Sequence, residues 1–335
     1  MRNKLPGLIA ALLLSLAGPL AAEPALEVIR LAVPDASAGR HPSSGTPTIN
    51  YAYTQKLFEQ KFAKDDIEIQ WAFFKNAGPA INEAFANEQI DVAFLGDLAA
   101  IIGEAVGNRT RLLAATSRGL NGYLGVVPGS GNDSLEALRG KTIGVWLGTA
   151  GHLSLEAVLA SRGYSDKDFH LISLDNSAGL AALAAKRIDA VWSAAGVLAL
   201  RNRGLAEIPL STQGGDGTGT IAVTMLGASD FVERHPAITK RLVRVLVQAA
   251  HWSSRPENGE AAVDLLLSRR NSPLLDDYFL KHLQYGADAA YAKRLIRSRV
   301  DVQNWAEPRF LDQALAELQL TDYWPQREAY VDPWH

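Results

Sequence analysis

The sequence has no cysteine among its 335 residues. This absence excludes disulfide bonds, thiolate metal sites, iron–sulfur clusters and cysteine nucleophiles. An excess of positive charge is missing as well, because 33 lysines and arginines stand against 36 acidic residues and give a formal net charge of −3. Phosphate backbones and anionic membrane surfaces select a strongly basic field. We therefore expect neither thiol chemistry nor nucleic-acid binding from this chain.

Common enzyme motifs are also absent. The Gly-Lys-Thr run at residues 140–142 lacks the first glycine of a phosphate-binding loop, because Leu135 occupies that position. The glycine cluster at 215–219 lacks the third glycine of a dinucleotide fingerprint, because Thr220 stands there. The sequence has no G-x-S-x-G elbow, and no two of its seven histidines have metal-ligand spacing. We therefore expect no enzyme activity, no cofactor and no metal site.

Long hydrophobic runs are confined to the N-terminus. Arg2 and Lys4 precede an apolar stretch at residues 5–17, and the small residues Ala21 and Ala22 follow it. This pattern is typical of a secretory signal peptide, with cleavage near Ala22. A retained anchor helix is the alternative, but the stretch is shorter than the roughly 20 residues that a membrane span needs. The mature chain is therefore expected to be exported, most simply into a bacterial periplasm.

Short apolar runs alternate with segments of helical period from residue 28 to about residue 228. The runs predict strands at 28–33, 67–73, 91–95, 111–115, 123–127, 141–146, 170–174, 190–192 and 221–226. The segments between them predict helices at 49–62, 80–87, 98–106, 134–138, 151–162, 178–186 and 195–203. Further helices are predicted at 236–252, 259–267, 274–284, 287–298 and 308–318. The pattern is typical of an α/β architecture with mostly parallel sheets, followed by a C-terminal helical appendix.

Three strand–turn–helix segments place polar or small residues at the start of a helix. Thr149 lies beside the first unpaired N–H groups of its helix, which with the helix dipole form an anion site, and His152 could donate to the same anion. Asn76 and Gly78 surround an earlier helix start, and Asp97 is the predicted N-cap of a third helix. Turns at the carboxyl ends of parallel strands face one crevice. The alternative is that Thr149 only caps its helix and His152 lies on the surface.

Five sequence blocks are informative in combination. They lie at residues 74–79, 89–97, 133–144, 148–152 and 186–192 and read FKNAGP, QIDVAFLGD, DSLEALRGKTIG, GTAGH and KRIDAVW. In this order and spacing they resemble the solute-binding proteins of ABC importers for aliphatic sulfonates, taurine and nitrate. The resemblance covers nearly the whole mature chain. It implies a two-lobed type 2 periplasmic binding protein, in which two crossing strands join two α/β lobes and a ligand lies in the cleft between them.

The resemblance also implies how the chain is divided. Residues 1–22 would be the signal peptide, 23–116 the first part of lobe 1, 117–220 lobe 2, and 221–335 the second part of lobe 1 with the C-terminal helices. The hinges would lie at 117–123 and 214–220, although the glycines of the second stretch are also compatible with a plain crossing loop. Closure about such hinges would trap the ligand, and a membrane permease would recognise the closed form.

The ligand contacts of the family carry over to the turns that match. In the first lobe they are Asn76, Gly78, Gly96 and Asp97, and in the second lobe they are Thr149, Ala150, Gly151 and His152. Trp192 and Ser193 end a strand at which relatives often carry an aromatic residue followed by polar ones. Phe73 and Phe74 alternate along a strand, so one of them is expected in the core, and Phe74 is the candidate to reach the cleft.

Arg118, at the first hinge, is the candidate for a charged ligand partner. A guanidinium group can offer two donors to a sulfonate or a nitrate. The alternative is a solvated hinge arginine. Ala194 and Ala195 stand where many relatives have an acidic residue and a proline, which weighs against an amine-bearing ligand such as taurine.

The leading hypothesis is the periplasmic substrate-binding component of an ABC importer. It would bind a small sulfonate-like organic anion, act as a monomer, and deliver the ligand to a permease and its ATPase. Nitrate, a sulfate ester or a thiamine-precursor pyrimidine on the same scaffold is the alternative. Desulfinases share this fold, but they depend on a cysteine that the chain lacks.

Overall fold

The structure is a computed structural model and describes residues 26–35, 44, 46–75, 77–258 and 271–326. The predicted signal peptide at 1–22, the predicted helix at 259–267 and Asn76 lie outside the described residues. Within the described ranges, none of the helices combines the length and the apolarity that crossing a bilayer requires.

The described residues form strands and helices in an alternating order. The strands are β1 (Val28–Pro34), β2 (Glu68–Phe74), β3 (Val92–Gly96), β4 (Thr110–Leu120), β5 (Tyr123–Val126), β6 (Thr142–Val145), β7 (His170–Ser173), β8 (Ala190–Ser193), β9 (Glu207–Ser211) and β10 (Ile221–Ala228). The helices are α1 (Pro47–Thr54), α2 (Leu57–Phe62), α3 (Ala77–Ala86), α4 (Asp97–Ala105), α5 (Ala150–Ala160), α6 (Asn176–Ala184), α7 (Gly196–Asn202), α8 (Ser229–Arg234), α9 (Pro236–Ser254), α10 (Asp277–Ala292), α11 (Val302–Trp305) and α12 (Arg309–Glu317). Short 3₁₀ helices lie at Ala63–Asp65, Asp166–Asp168 and Pro256–Asn258.

Two five-stranded sheets share one strand arrangement. The first sheet has the order β2-β1-β3-β10-β4 and the second the order β7-β6-β8-β5-β9. In the first, β1 is parallel to β2 and β3, while β10 is antiparallel to β3 and β4. In the second, β6 is parallel to β7 and β8, while β5 is antiparallel to β8 and β9. Half of the strand pairings are thus antiparallel, so the expectation of mostly parallel sheets is wrong, while the predicted α/β architecture is confirmed.

The chain crosses between the sheets at residues 121–122 and at residues 212–220. Backbone pairing of β4 with β10 continues to Leu120 and Ile221, next to both crossings. The crossings also bond to each other, because the Thr212 N–H donates to Gly122 O at 3.0 Å and the Gly122 N–H donates to Thr212 Oγ1 at 3.1 Å. The predicted lobe boundaries, after residues 116 and 220, lie close to these crossings and stay a prediction.

The C-terminal helices cover both faces of the first sheet. Helices α9 and α12 pack with α1 and α2 against Leu31 and Phe94, whereas α10 and α11 pack with α3 and α4 against Ala32 and Leu95. Alternate residues of a strand point to opposite faces, which explains why neighbours in β1 and β3 enter different clusters. The C-terminal helices thus share the hydrophobic core of the first sheet rather than forming a separate layer.

Helix α9 follows the predicted periodicity. It begins with Pro236 in its first turn, and the apolar residues at helical spacing, Leu242, Val245, Leu246 and Ala249, are buried. Proline fits the first helical position because its missing N–H would have no partner there. One face of α9 therefore packs against the first sheet.

Several element boundaries differ from the prediction. The predicted helix at 49–62 is divided between α1 and α2, because Lys56 has a left-handed φ of 52°. Residues 134–138 form turns rather than a helix. The two predicted helices at 274–284 and 287–298 correspond to one helix, α10. Strand β9 was not predicted, since Pro209 lowers its strand signal, but β9 lies at a sheet edge where proline is tolerated.

Candidate functional site

A cavity of about 170 Å³ lies between the two sheets. Strand ends from both sheets reach it, since its walls include Pro34 of β1, Gly96 of β3 and Ser193 of β8. Its larger apolar side chains are Phe94, Leu95, Leu120, Trp146, Trp192, Ile221 and Val223. Its polar side chains are Ser44, Thr46, Thr149, Asn176 and Ser193. The cavity thus lies where open α/β sheets place ligands, at the carboxyl ends of parallel strands.

Glycines allow three helix starts to meet at this cavity. A Cβ atom at Gly96 would lie 2.8 Å from the Cβ of Ala150, so a side chain at this position would push the starts of α4 and α5 apart. A Cβ atom at Gly78 would overlap the Cβ of Ala99 in the first turn of α4. Close approach of this kind is what glycine permits. The first turns of α3, α4 and α5 therefore converge from the two sheets.

The start of α5 offers free backbone donors. Its N-cap, Thr149, does not cap the helix through its side chain, because Thr149 Oγ1 donates to Trp146 O at 2.7 Å. In the described part of the chain, the N–H groups of Ala150 and Gly151 have no hydrogen-bond acceptor. The first turn carries no acidic residue, so nothing there offsets the positive end of the helix dipole. An anion at this point would meet two open amides.

Charged side chains do not line the cavity among the described residues. A bound anion would therefore be held by N–H groups, hydroxyls and the helix dipole rather than by a cation. The described lining residues likewise include no carboxylate that could pair with an ammonium group. In addition, no group of three or more His, Cys, Asp or Glu residues within the described ranges could hold a metal ion.

Trp192 forms one wall of the cavity, and hydrogen bonds within the protein hold its indole ring in place. Its indole Nε1 donates to Ser154 Oγ at 3.1 Å, and the Ser154 hydroxyl donates to Gly219 O. Trp192 is only 3% exposed and Ser154 only 2%. These two bonds join β8, α5 and the second crossing, so the position of the indole ring is tied to the link between the sheets.

Arg118 does not reach the cavity. Its guanidinium group forms two hydrogen bonds to Asp276, Nη1 to Oδ1 at 2.8 Å and Nη2 to Oδ2 at 3.0 Å, and Nη1 also donates to Leu274 O. Both side chains are almost fully buried, at 2% and 1% exposure. The expectation of a charged ligand partner is therefore corrected: Arg118 joins β4 to the start of α10.

Asp97 and Phe74 also lie away from the cavity wall. Asp97 Oδ1 accepts from the Leu98 N–H at 2.7 Å, while Oδ2 accepts from the Ala222 N–H and lies 2.9 Å from His282 Nε2. The carboxylate thus connects α4, β10 and α10. Phe74 packs against the hydrophobic cluster between the first sheet and α3, α4, α10 and α11. Asp97 is thus buried in the core around the first sheet, and Phe74 is half-buried against that core.

Both ring nitrogens of His152 have partners within the protein. Its Nδ1 accepts from the Gly148 N–H at 3.3 Å, and its Nε2 lies 3.6 Å from Glu156 Oε1. Burial lowers the pKa of His152, and the nearby charge of Lys293 lowers it further. The His152 side chain is therefore directed to Gly148 and Glu156, and His152 is not among the cavity-lining residues.

Seven of the predicted residues line the cavity together: Gly78, Gly96, Thr149, Ala150, Gly151, Trp192 and Ser193. Their role in ligand binding stays a prediction. Sequence reasoning missed Thr46, Trp146 and Asn176, which also line it. Asn176 follows β7 and opens α6 after the N-cap Asp175, so the strand–turn–helix pattern used for the other turns would have found it.

A family model described as NMT1/THI5 like matches residues 62–258, more than half of the chain. The chain belongs to this family. The matched region contains most of the cavity wall, including the starts of α3, α4 and α5 and the end of β8.

Relatives of the chain carry names of transport binding proteins. It is 27% identical over 281 residues to a Bacillus subtilis (strain 168) protein with the assigned name aliphatic sulfonates-binding protein, which covers 78% of this chain and 82% of that one. A solved structure assigned as the periplasmic sulfonate-binding protein SsuA from Methylobacillus flagellatus KT has a TM-score of 0.77 and 27% identity, covering 92% of this chain and 99% of that chain.

A further solved structure is the alkanesulfonate-binding protein SsuA from Xanthomonas axonopodis pv. citri bound to MOPS, with a TM-score of 0.69 and 24% identity, covering 86% of this chain and 100% of that chain. At this identity the likeness shows the fold alone. Together with the two mixed sheets, these similarities show that this chain has the two-lobed fold of periplasmic binding proteins.

Proposed function

We propose that this chain is the periplasmic substrate-binding component of an ABC importer and that it holds a small sulfonate-type organic monoanion between its lobes. The observation that carries the proposal is the composition of the cavity wall. Open amides at the start of α5 lie in the same small space as the aromatic rings of Trp146, Trp192 and Phe94. The assigned names of the relatives support the same ligand class.

The wall favours one orientation of the ligand. The anionic head would accept hydrogen bonds from the Ala150 and Gly151 N–H groups, with Ser193 and Asn176 as additional donors. The apolar tail would lie against aromatic side chains on the remaining wall. A sulfonate suits neutral donors because its single charge is spread over three oxygens, so it needs many hydrogen bonds rather than one counter-ion.

The alternatives fit this wall less well. Taurine carries an ammonium group, which would lack a carboxylate partner among the described lining residues. Nitrate would use the amides but leave the aromatic surface without contacts. A pyrimidine would stack on the aromatic rings, but among the described lining residues Asn176 is the one side-chain amide that could form hydrogen bonds with the polar atoms at the edge of its ring. Desulfinase chemistry would need the cysteine that the sequence lacks.

Export to the periplasm and transfer to a permease and its ATPase belong to the same proposal. The relatives' names support a periplasmic location, and the sequence pattern at residues 1–22 supports export through a signal peptide cleaved near Ala22. Closure of the two lobes about the crossings at 121–122 and 212–220 would give the permease a ligand-dependent surface to recognise.

Thermal unfolding of the mature chain tests the ligand class. The ligands compared are butane-1-sulfonate, benzenesulfonate, butyl sulfate, taurine, nitrate and an aminopyrimidine. Calorimetric titration then measures the affinity of the chain for each ligand. A ligand at a hundredfold its Kd stabilises the folded state by about 2.7 kcal/mol. We expect the two apolar sulfonates to give the largest shifts. Stronger binding of taurine, nitrate or the pyrimidine, or no shift with any sulfonate, would contradict the proposal.

A proline substitution tests the amide site without a side-chain change in charge. Ala150 is the first residue of α5, where proline is tolerated, and its N-cap Thr149 has the extended φ of −116° and ψ of 172° that a residue before proline requires. Ala150→Pro deletes one open N–H, which is worth about 1.5–3 kcal/mol to a charged acceptor. We expect at least tenfold weaker butane-1-sulfonate binding. The control is Asp277→Pro at the first position of α10, away from the cavity.

A further inference from the structure

One contact joins α5 to α10 and therefore joins the two lobes. Helix α5 packs on the second sheet through Leu155 and Val158, whereas α10 packs on the first sheet through Phe279 and Leu283. Leu153 of α5 leaves its own lobe's core and belongs to the hydrophobic cluster of the first lobe, where it is 7% exposed. A side chain from the ligand-facing helix is thus buried in the opposite lobe.

A glycine of α10 makes room for Leu153. A Cβ atom at Gly286 would lie 3.0 Å from Leu153 Cδ2 and 3.4 Å from Ile101 Cδ1. The first distance is closer than carbon atoms pack at their optimum. Glycine is also a poor choice for the interior of a 16-residue helix, because alanine favours the helix more. The position of Gly286 is therefore explained by the close approach of Leu153 and not by the helix itself.

An ion pair completes this contact one turn further along α5. The carboxylate of Glu156 pairs with the ammonium group of Lys293, which directly follows α10. The Glu156 side chain is only 3% exposed, while that of Lys293 is 31% exposed. A buried carboxylate is stable when paired and costly when its partner is removed. The arrangement of the lobes in this structure thus keeps Glu156 both buried and paired.

We propose that Leu153, Glu156, Gly286 and Lys293 form an interlobe contact that stabilises the closed cleft, so that residues remote from the ligand set the affinity of the cavity. Rotation of the lobes about the two crossings must separate or displace this contact, because its halves belong to different lobes. The contact also holds the helix whose first two amides face the cavity. Its effect on closure is independent of ligand identity, while its effect on affinity rests on the proposed function.

Two substitutions disturb the contact in different ways. Gly286→Ala adds a methyl group against Leu153 but improves the helix propensity of α10, so we expect a less populated closed form without loss of helix content. Lys293→Met leaves Glu156 buried without its counter-ion, and opening would return that carboxylate to water. Lys281→Met, on the exposed face of the same helix, is the matched control.

Energy transfer between dyes on the two lobes measures closure directly. Because the chain has no cysteine, Lys64→Cys and Lys167→Cys place one dye on an exposed site of each lobe without other labelled positions. We expect a high-transfer population in the ligand-free parent, unchanged in Lys281→Met, reduced in Gly286→Ala and reduced further in Lys293→Met. Leu153→Ala added to Gly286→Ala should restore part of the population, because the added methyl group then has room.

Identical transfer distributions in the parent, Gly286→Ala and Lys293→Met would overturn the inference. A ligand-free parent without a high-transfer population would overturn it too. Titration with butane-1-sulfonate then separates the two proposals: we expect at least fivefold weaker binding in Gly286→Ala and Lys293→Met than in Lys281→Met. Shifted transfer distributions without sulfonate binding to any variant would support the contact and refute the proposed function.

Discussion

The buried ion pair between Arg118 and Asp276 is expected to be one of the most sensitive points of the fold. We propose Asp276→Asn as the perturbation, because asparagine keeps an oxygen that can accept from the Phe279 N–H and cap α10. The substitution therefore removes the charge while leaving the cap. It tests the electrostatic role of the pair with little change in shape.

The size of the effect follows from burial. Arg118 and Asp276 are 2% and 1% exposed, so neither group can recover its lost partner's interaction from water. Removing one partner of such a pair costs about 3–5 kcal/mol. The neighbouring Asp277 pairs with Lys281 at 3.4 Å, but that carboxylate is 65% exposed, and exposed helix pairs are worth about 0.3–0.5 kcal/mol. Two adjacent aspartates should therefore differ by roughly 3 kcal/mol in their effects.

Urea denaturation followed by tryptophan fluorescence measures the free energies of unfolding of the parent, Asp276→Asn and Asp277→Asn. We expect the midpoint to fall strongly only for Asp276→Asn. An Arg118→Met/Asp276→Leu double variant should be more stable than Asp276→Asn, because it leaves no unpaired charge in the core. Equal stabilities of Asp276→Asn and Asp277→Asn would refute the reasoning, since the pair would then contribute no more than a surface pair.

Two further outcomes follow from the packing around α5. Burial lowers the pKa of His152, so the unfolded chain binds more protons just below pH 6.5 and stability should fall with acidification there. His152→Gln should reduce the slope of stability against pH between pH 5.5 and 7, although the half-buried His251, whose pKa burial also lowers, keeps part of it, and an unchanged slope would contradict this reasoning. Ser154→Ala leaves the Trp192 indole N–H and Gly219 O unpaired, so the free energy of unfolding measured by calorimetry should fall by about 1–3 kcal/mol. The control Ser161→Ala should change it little, and equal losses in the two variants would contradict this prediction.

The positions of the cavity-lining turns could be predicted from local sequence. A strand followed by a small or polar turn and a helix places the turn at the carboxyl end of the strand, and this rule needs only neighbouring residues. Gly78, Gly96 and Ala150 lie at the cavity for this reason. Most strands and helices could be predicted in the same way, because apolar runs and helical periods are local patterns too. The two lobes and the crossings between them were implied by the family resemblance and not by these patterns.

The roles of charged residues could not be predicted, because their partners lie far away in the sequence. Arg118 meets Asp276 across 158 positions, and nothing near either residue indicates the other. Asp97 lies 185 positions from His282. From the sequence alone an arginine at a hinge and an aspartate at a helix start both resemble ligand contacts. Only tertiary contacts show that they are core ion pairs and hydrogen bonds.

The hydrogen bonds between the two crossings limit the movements available to the lobes. One crossing has two residues and the other nine, and Gly122 and Thr212 bond them to each other at a single place. A double connection of this kind would allow rotation but resist sliding, so we expect the lobes to move about one pivot at Gly122 and Thr212. A few degrees of torsion at Asn121 and Gly122 would be magnified with distance from that pivot. We therefore expect backbone angles at this point, together with the α5–α10 contact, to affect the width of the distant cleft between the lobes.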